Sequence, residues 1–271
     1  MNIDLSVSFI ESHGTALEKA RLGSLLYNVE PSLEIYQYFL TLQNEDGGFP
    51  FNFERNNLST IDNTLTTLWW LDELRLLSSP IGEKALTFLR NTQKPDGGWD
   101  EDPAITRYVL PPWITPGEMR TRLYLSSYST FWLAIAGHTT HPSYSKSLDF
   151  LYKHQEESGK MPGYLHSTWI TTSVFLLEGK SYLQAGKKGL RYLINVNPET
   201  LEASQLAWAL DCLGKAGVSK EHILIKSYLA ELKGRQMPDG HWSSEDGDDF
   251  IVSSTIEVIK VLKYYEITNE D

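Results

Sequence analysis

Apolar residues recur along this chain at intervals of three and four. Leu33, Tyr36, Phe39 and Leu40 form one such set, and Leu86, Phe88 and Leu89 another. That spacing places side chains on one face of an α-helix, whereas a half-buried strand would alternate. Read with its breaks, the pattern predicts helices near 4–12, 15–27, 31–43, 60–76, 80–93, 119–137, 143–157, 165–178, 181–195, 200–216, 219–235 and 252–265. Strand signals are almost absent. Twelve helices make six hairpins, and successive antiparallel pairs can close into a ring that hides every apolar edge. The expected fold is therefore all-α, an (α/α)6 toroid. No low-complexity linker divides residues 1–271, so one domain is the expected organisation.

A phrase recurs between the helices. Gln43-Asn44-Glu45-Asp46-Gly47-Gly48-Phe49 returns as Gln93-Lys94-Pro95-Asp96-Gly97-Gly98-Trp99, and again as Gln236-Met237-Pro238-Asp239-Gly240-His241-Trp242. A worn copy runs from Gln155 through Gly159 to Gly163 and Tyr164. The Asp-Gly pair supplies a turn, because glycine accepts positive φ and stops a helix. The glutamine is placed to bond exposed backbone ends, and the aromatic ring to pack over the turn. These residues are expected to brace the fold rather than to react.

The turns resemble the QW repeats of squalene-hopene cyclases, plant-type diterpene cyclases and protein prenyltransferase β-subunits, over nearly the whole chain. The resemblance implies a helical toroid around a central cavity that binds an isoprenoid. The strongest local likeness covers residues 47–71, GGFPFNFERNNLSTIDNTLTTLWWL. It is similar to the hopene-cyclase segment carrying the DxDD acid motif. In that family the middle aspartate protonates an alkene, and flanking carboxylates and bound water raise its acidity. Here the four positions read Thr60-Ile61-Asp62-Asn63, so the middle aspartate is kept and both flanks are lost.

The resemblance thus implies Asp62 as proton donor and Asn63 as its support in an acid-initiated, class II-like cyclisation of a polyprenyl substrate. Protonation of this kind needs no cofactor. Trp69, Trp132, Trp169 and Trp208 are implied as cavity-lining rings that steady carbocations, and His166 as a group facing Asp62. Cyclases of this family normally pair such a toroid with a second one. This sequence holds only one, so the expectation is that either a partner subunit completes the active site or the protein works differently.

Chemistry sets what Asp62 would need. Protonating an isolated alkene takes a carboxylic acid that is neutral at rest yet releases its proton readily. Burial favours the neutral form, and hydrogen bonds to the departing carboxylate favour release. Asn63, Thr60 and Thr64 are the nearby polar groups. A plainer reading is that Asp62 caps the helix starting near Thr60. With both flanking carboxylates gone, the alternative function is a non-catalytic ligand-binding or protein-interaction toroid with a decayed acid motif.

A literal DxDD also occurs as Asp246-Gly247-Asp248-Asp249, preceded by Glu245. Asp246, Asp248 and Asp249 suit a Mg²⁺ held through oxygen ligands and carrying a diphosphate. They equally suit the positive end of the next helix, or a solvated loop. Aligned on its turn, the last repeat puts the acid position near Ser253 instead.

Composition narrows the remaining classes. Aromatics make up 12% of the 271 residues, with 8 Trp and 14 Tyr, which calls for a large core or an aromatic-lined cavity. A net charge of -11 without a Lys/Arg run argues against nucleic acid and anionic membrane surfaces as partners. One cysteine, Cys212, excludes an intrachain disulfide and any zinc site needing two thiolates. The adjacent pair Asp211-Cys212 does not match the Asp-x-Cys zinc ligands of protein prenyltransferases. No run approaches the ~18 apolar residues of a membrane span, and the N-terminus lacks a signal-like core, so a cytoplasmic protein is expected. The stretch Tyr108 to Ile114 is the most apolar of the expected loops, suited to a lid, a partner contact, a patch touching membrane or a plug folded over the core.

Overall fold

The computed structural model describes residues 1–267. Among these, twelve α-helices follow one another: α1 (Ile3–His13), α2 (Ala16–Tyr27), α3 (Leu33–Leu42), α4 (Ile61–Glu73), α5 (Pro80–Thr92), α6 (Met119–Ile135), α7 (Pro142–His154), α8 (Leu165–Glu178), α9 (Leu183–Ile194), α10 (Ala203–Lys215), α11 (Ile223–Gly234) and α12 (Ile251–Tyr264). Every expected helix is present. The largest boundary difference is at α11, expected from 219 and starting at Ile223. There the His222 ring accepts from the Leu224 amide and caps the helix late. One antiparallel pair, β1 (Phe49–Pro50) and β2 (Ser59–Thr60), sets Phe49 opposite Thr60.

Packing groups the chain into two compact units, Ser32–Gly189, and Met1–Pro31 together with the chain from Leu190 onward. In the Ser32–Gly189 unit, α6 lies along α8 and against α4, while α7 packs on α6 and α5 on α4. Helices α4, α6 and α8 are buried over most of their faces. Helix α5 buries only the stripe Ile81, Gly82, Ala85, Leu86, Phe88 and Leu89, as expected of an outer helix. In the other unit α12 packs on α10, α1 and α2, around Phe9, Ile10, Leu22, Val252, Ile256 and Ile259.

The recurring turn folds the same way four times. Gln43 Nε2 donates to the Gly47 carbonyl at 2.8 Å and to that of Ile81 in α5 at 3.0 Å. Gln93 repeats this with Gly97 and with Ser143 in α7, and Gln155 with Gly159 and Ala185 in α9. Gln236 does so with Gly240 and with Asn2, just ahead of α1. The four glycines have φ of 90°, 91°, 94° and 99°. A Cβ on Gly97 would meet the Lys146 carbonyl oxygen at 2.3 Å, so this position needs glycine for both torsion and space. The same clash falls on Lys84, Lys188 and Leu5 at the other three turns.

Two residues past each glycine, a backbone amide is held by a hydroxyl of the following helix: Phe49 by Thr64, Trp99 by Ser126, Met161 by Thr168 and Trp242 by Thr255. The worn copy is therefore fully folded. Its aromatic position is filled by the buried Met161 rather than by Tyr164, where the sequence pointed. Among the described residues no helix is long and apolar enough to cross a membrane.

Candidate functional site

Thr60 opens α4, its hydroxyl accepting from the Asn63 amide. The first two amides of the helix, Ile61 and Asp62, donate to the two carboxyl oxygens of Glu101 at 2.9 and 2.8 Å. Glu101 is 2% exposed and comes from the loop two residues beyond Trp99. Thr60 and Glu101 thus satisfy the donors that a helix start leaves open, and the Asp62 side chain is not needed as a cap. Its carboxylate accepts from the Trp113 indole at Oδ2 and from the Tyr124 hydroxyl at Oδ1, each at 3.2 Å. Asn63, expected to support Asp62, is held by Thr60, whose hydroxyl donates to its side-chain oxygen at 2.8 Å.

The two donors constrain the protonation of Asp62. An indole N–H only donates, so Oδ2 is the oxygen without a proton. A phenol donates or accepts, so Oδ1 is the oxygen left to carry a proton on Asp62. Burial pushes the neighbouring Glu101 carboxyl up to about 8; the Asp62 and Asp100 charges add to this, and the two amide bonds oppose it.

Trp113 is delivered by a strap fixed at several points. Tyr108 stacks on Phe51 with centroids 4.7 Å apart, and its hydroxyl accepts from the Leu58 amide. Thr121 donates to the Trp113 carbonyl at 2.9 Å and accepts from the Thr115 amide. The Tyr164 hydroxyl donates to the Pro112 carbonyl, and the Gly117 amide to Asp100. Ile114 is buried while Val109 is 94% exposed, so one end of this apolar stretch plugs the core and the other stands in solvent.

An aromatic run leads away from Asp62. Tyr124 packs on Tyr164 and Tyr128, and Tyr128 meets Trp69 edge-on at 6.3 Å and Trp132 at 6.0 Å. The Trp69 indole donates to Glu73 at 2.8 Å. Of the expected lining residues, Trp69 and Trp132 are thus connected to Asp62 through the two tyrosines. His166 and Trp169 pair with each other on α8 at 4.6 Å.

Trp208, on α10, belongs to the other unit, as do the acidic residues. Asp246, Asp248 and Asp249 are exposed, and the last two open the short turn that leads into α12. Among the described residues, no three or more His, Cys, Asp or Glu side chains gather so as to hold a metal ion. The run forms a solvated loop ahead of α12, where negative charge suits a helix start.

Sequence reasoning missed Glu101 and Tyr124 and took Trp113 only as part of an apolar loop. One signal for Glu101 was present. The other turns carry Phe51, Gly163 and Ser244 at its place, so this one alone sets a carboxyl two residues past the buried ring.

No family profile matches the sequence, and no curated protein matches it. Solved structures do. The type II terpene cyclase MstE from Scytonema, without ligand, matches with a TM-score of 0.64 at 15% identity, over 96% of this chain and 96% of that one. An aspartate-to-asparagine variant of it, in complex with its substrate geranylgeranyl dihydroxybenzoate, gives 0.60 at 14%, over 93% and 88%. A protein from Actinoplanes gives 0.62 at 17%, over 93% and 90%. At such identities the likeness establishes the fold alone: the chain has the all-α, α/α-toroid fold that type II terpene cyclases share.

Proposed function

We propose that this protein binds a polyprenyl substrate and starts its cyclisation by proton transfer from Asp62. The observation that carries this reading is the Asp62 carboxyl held between Trp113 and Tyr124 at the start of α4, with Glu101 buried at its backbone. The likeness in fold to a cyclase that takes geranylgeranyl dihydroxybenzoate as substrate supports the isoprenoid class.

In this mechanism the alkene π pair takes the Oδ1 proton; a C–H bond forms as the O–H bond breaks. The cation develops on the more substituted carbon, and the next alkene closes on it. The Trp113 N–H, the Tyr124 O–H and the positive end of α4 then stabilise the Asp62 carboxylate left behind. The faces of Trp69, Tyr128 and Trp132 are suited to steadying the migrating positive charge. Loss of a proton from the final cation restores the neutral product.

The test is incubation of the pure protein with geranylgeranyl dihydroxybenzoate and with C10 to C30 isoprenoids, followed by product analysis. Wild type should form cyclic products, and Asp62→Asn should lose about 100-fold or more in rate with its melting temperature kept. Ligand at 100 times its Kd should stabilise the fold by about 2.7 kcal/mol. Stabilisation without conversion would identify the non-catalytic ligand-binding alternative, and neither effect would overturn the isoprenoid reading.

A further inference from the structure

We propose that Glu101 is a positioning residue, forming with Asp62 a coupled carboxyl pair at the first turn of α4 that holds one proton between its two members across neutral pH. The role assigned to it rests on the reading of Asp62 as the acid. The pairing itself is a property of the resting protein and can be measured without any substrate.

The geometry leads to the pair directly. Thr60 and Asn63 stand where flanking carboxylates were expected, yet a second carboxyl reaches this helix start from a loop 39 residues on. Both of its oxygens are engaged by the amides of Ile61 and Asp62, which fixes it against the backbone of the candidate acid. It is 2% exposed, so water does little to stabilise its charge. Two amides and one helix end can hold one negative charge well, whereas two adjacent ones repel in a medium that screens them poorly.

Tyr124 faces Asp62 from α6 and Trp113 faces it from the strap, and both are neutral donors. Asp100 lies beside Glu101 in the same loop, and its own charge is met by the Gly117 amide and by Arg122 at 3.9 Å. The upward displacement of the Glu101 carboxyl to about 8 agrees with a proton retained here. Because the two groups titrate together, the proton belongs to the pair. Such a pair keeps the acid loaded where a lone aspartate would have lost its proton. Once that proton passes to the alkene, the pair carries two negative charges, and the field of the new cation offsets their repulsion.

The experiment is an infrared titration of the ligand-free protein, following the protonated-carboxyl band in wild type, Glu101→Gln, Asp62→Asn and the double variant. Wild type should show one buried protonated carboxyl that ionises above pH 7. Each single substitution removes a neighbouring charge, so the remaining carboxyl should lose its proton at a pH lower by about one unit or more. The double variant should lack the band. A Glu101 midpoint unmoved in Asp62→Asn would overturn the pairing and leave Glu101 as a helix cap only. That arm stands even if Glu101→Gln fails to fold, because Asp62→Asn leaves both amide bonds to Glu101 intact.

Turnover of geranylgeranyl dihydroxybenzoate supplies the second readout. In Glu101→Gln the alkaline limb of the pH–rate profile should move to lower pH by a similar amount, which loss of a cap alone would not cause. A wild type that turns over no isoprenoid would sink the cyclase reading, while the titration would still decide the pairing.

Discussion

Glu101 makes folding stability itself depend on pH. Burial pushes its carboxyl up to about 8 in the folded protein, against about 4.5 for an ordinary glutamate. The folded pKa is raised, so the protonated folded form is favoured. The contribution is fully present below about pH 4.5 and is lost as pH rises towards 8. Across that window wild type should lose stability on the order of 3–5 kcal/mol from this group. Glu101→Gln should flatten this part of the profile, which denaturant melts at several pH values would detect. Trp113 supports a second prediction at this scale. Trp113→Phe keeps a ring on the strap but deletes the indole donor at Asp62 Oδ2, so turnover should fall about 10-fold with little change in melting temperature. Neither residue was legible beforehand. Asp62 stood out because its neighbours match a known acid segment, whereas Glu101 and Tyr124 reach it through packing 39 and 62 residues away along the chain.

Elements were legible for the opposite reason, since each declares itself locally. Apolar spacing marked the buried faces, and Ser32, Ser79 and Thr15 cap the helices that follow them. The recurring turn was readable as a turn, but its partner was not. Each glutamine bonds a carbonyl in another helix start, 38 residues away for Gln43 and 50 for Gln93. The glycines separate two costs that a sequence cannot distinguish. Gly97 has φ of 91° and the Lys146 carbonyl in the way, while Gly137 has φ of 80° and nothing within 4 Å. Gly137→Ala should cost about 1 kcal/mol, from torsion alone. Gly97→Ala should cost at least about 2 kcal/mol more, because the α7 backbone must shift. Equal losses in a chemical melt would show that the turn is looser than its geometry implies.

At the scale of the molecule, the expected helix count holds among the described residues and the fold class holds with it, and the packing resolves into the two units described above. One unit is continuous in sequence. The other joins α1 and α2 to the last three helices, with Phe9 and Ile10 buried beside Ile256 and Ile259. Phe9→Ala should therefore destabilise by about 3–5 kcal/mol, and hydrogen exchange should show α12 losing protection along with α1.

The bond from Gln236 to Asn2 has a further consequence for how the chain is made. Synthesis proceeds from the N-terminus, and a contiguous unit can fold as soon as it emerges. Residues 32–189 meet that condition long before the ribosome finishes. Helix α1 does not, because the glutamine that ties it down is made 234 residues after Asn2, and the helix that covers Phe9 later still. Helix α1 therefore waits through the synthesis of the whole Ser32–Gly189 unit with its apolar face uncovered, open to chaperones, and settles after a unit that follows it in the chain.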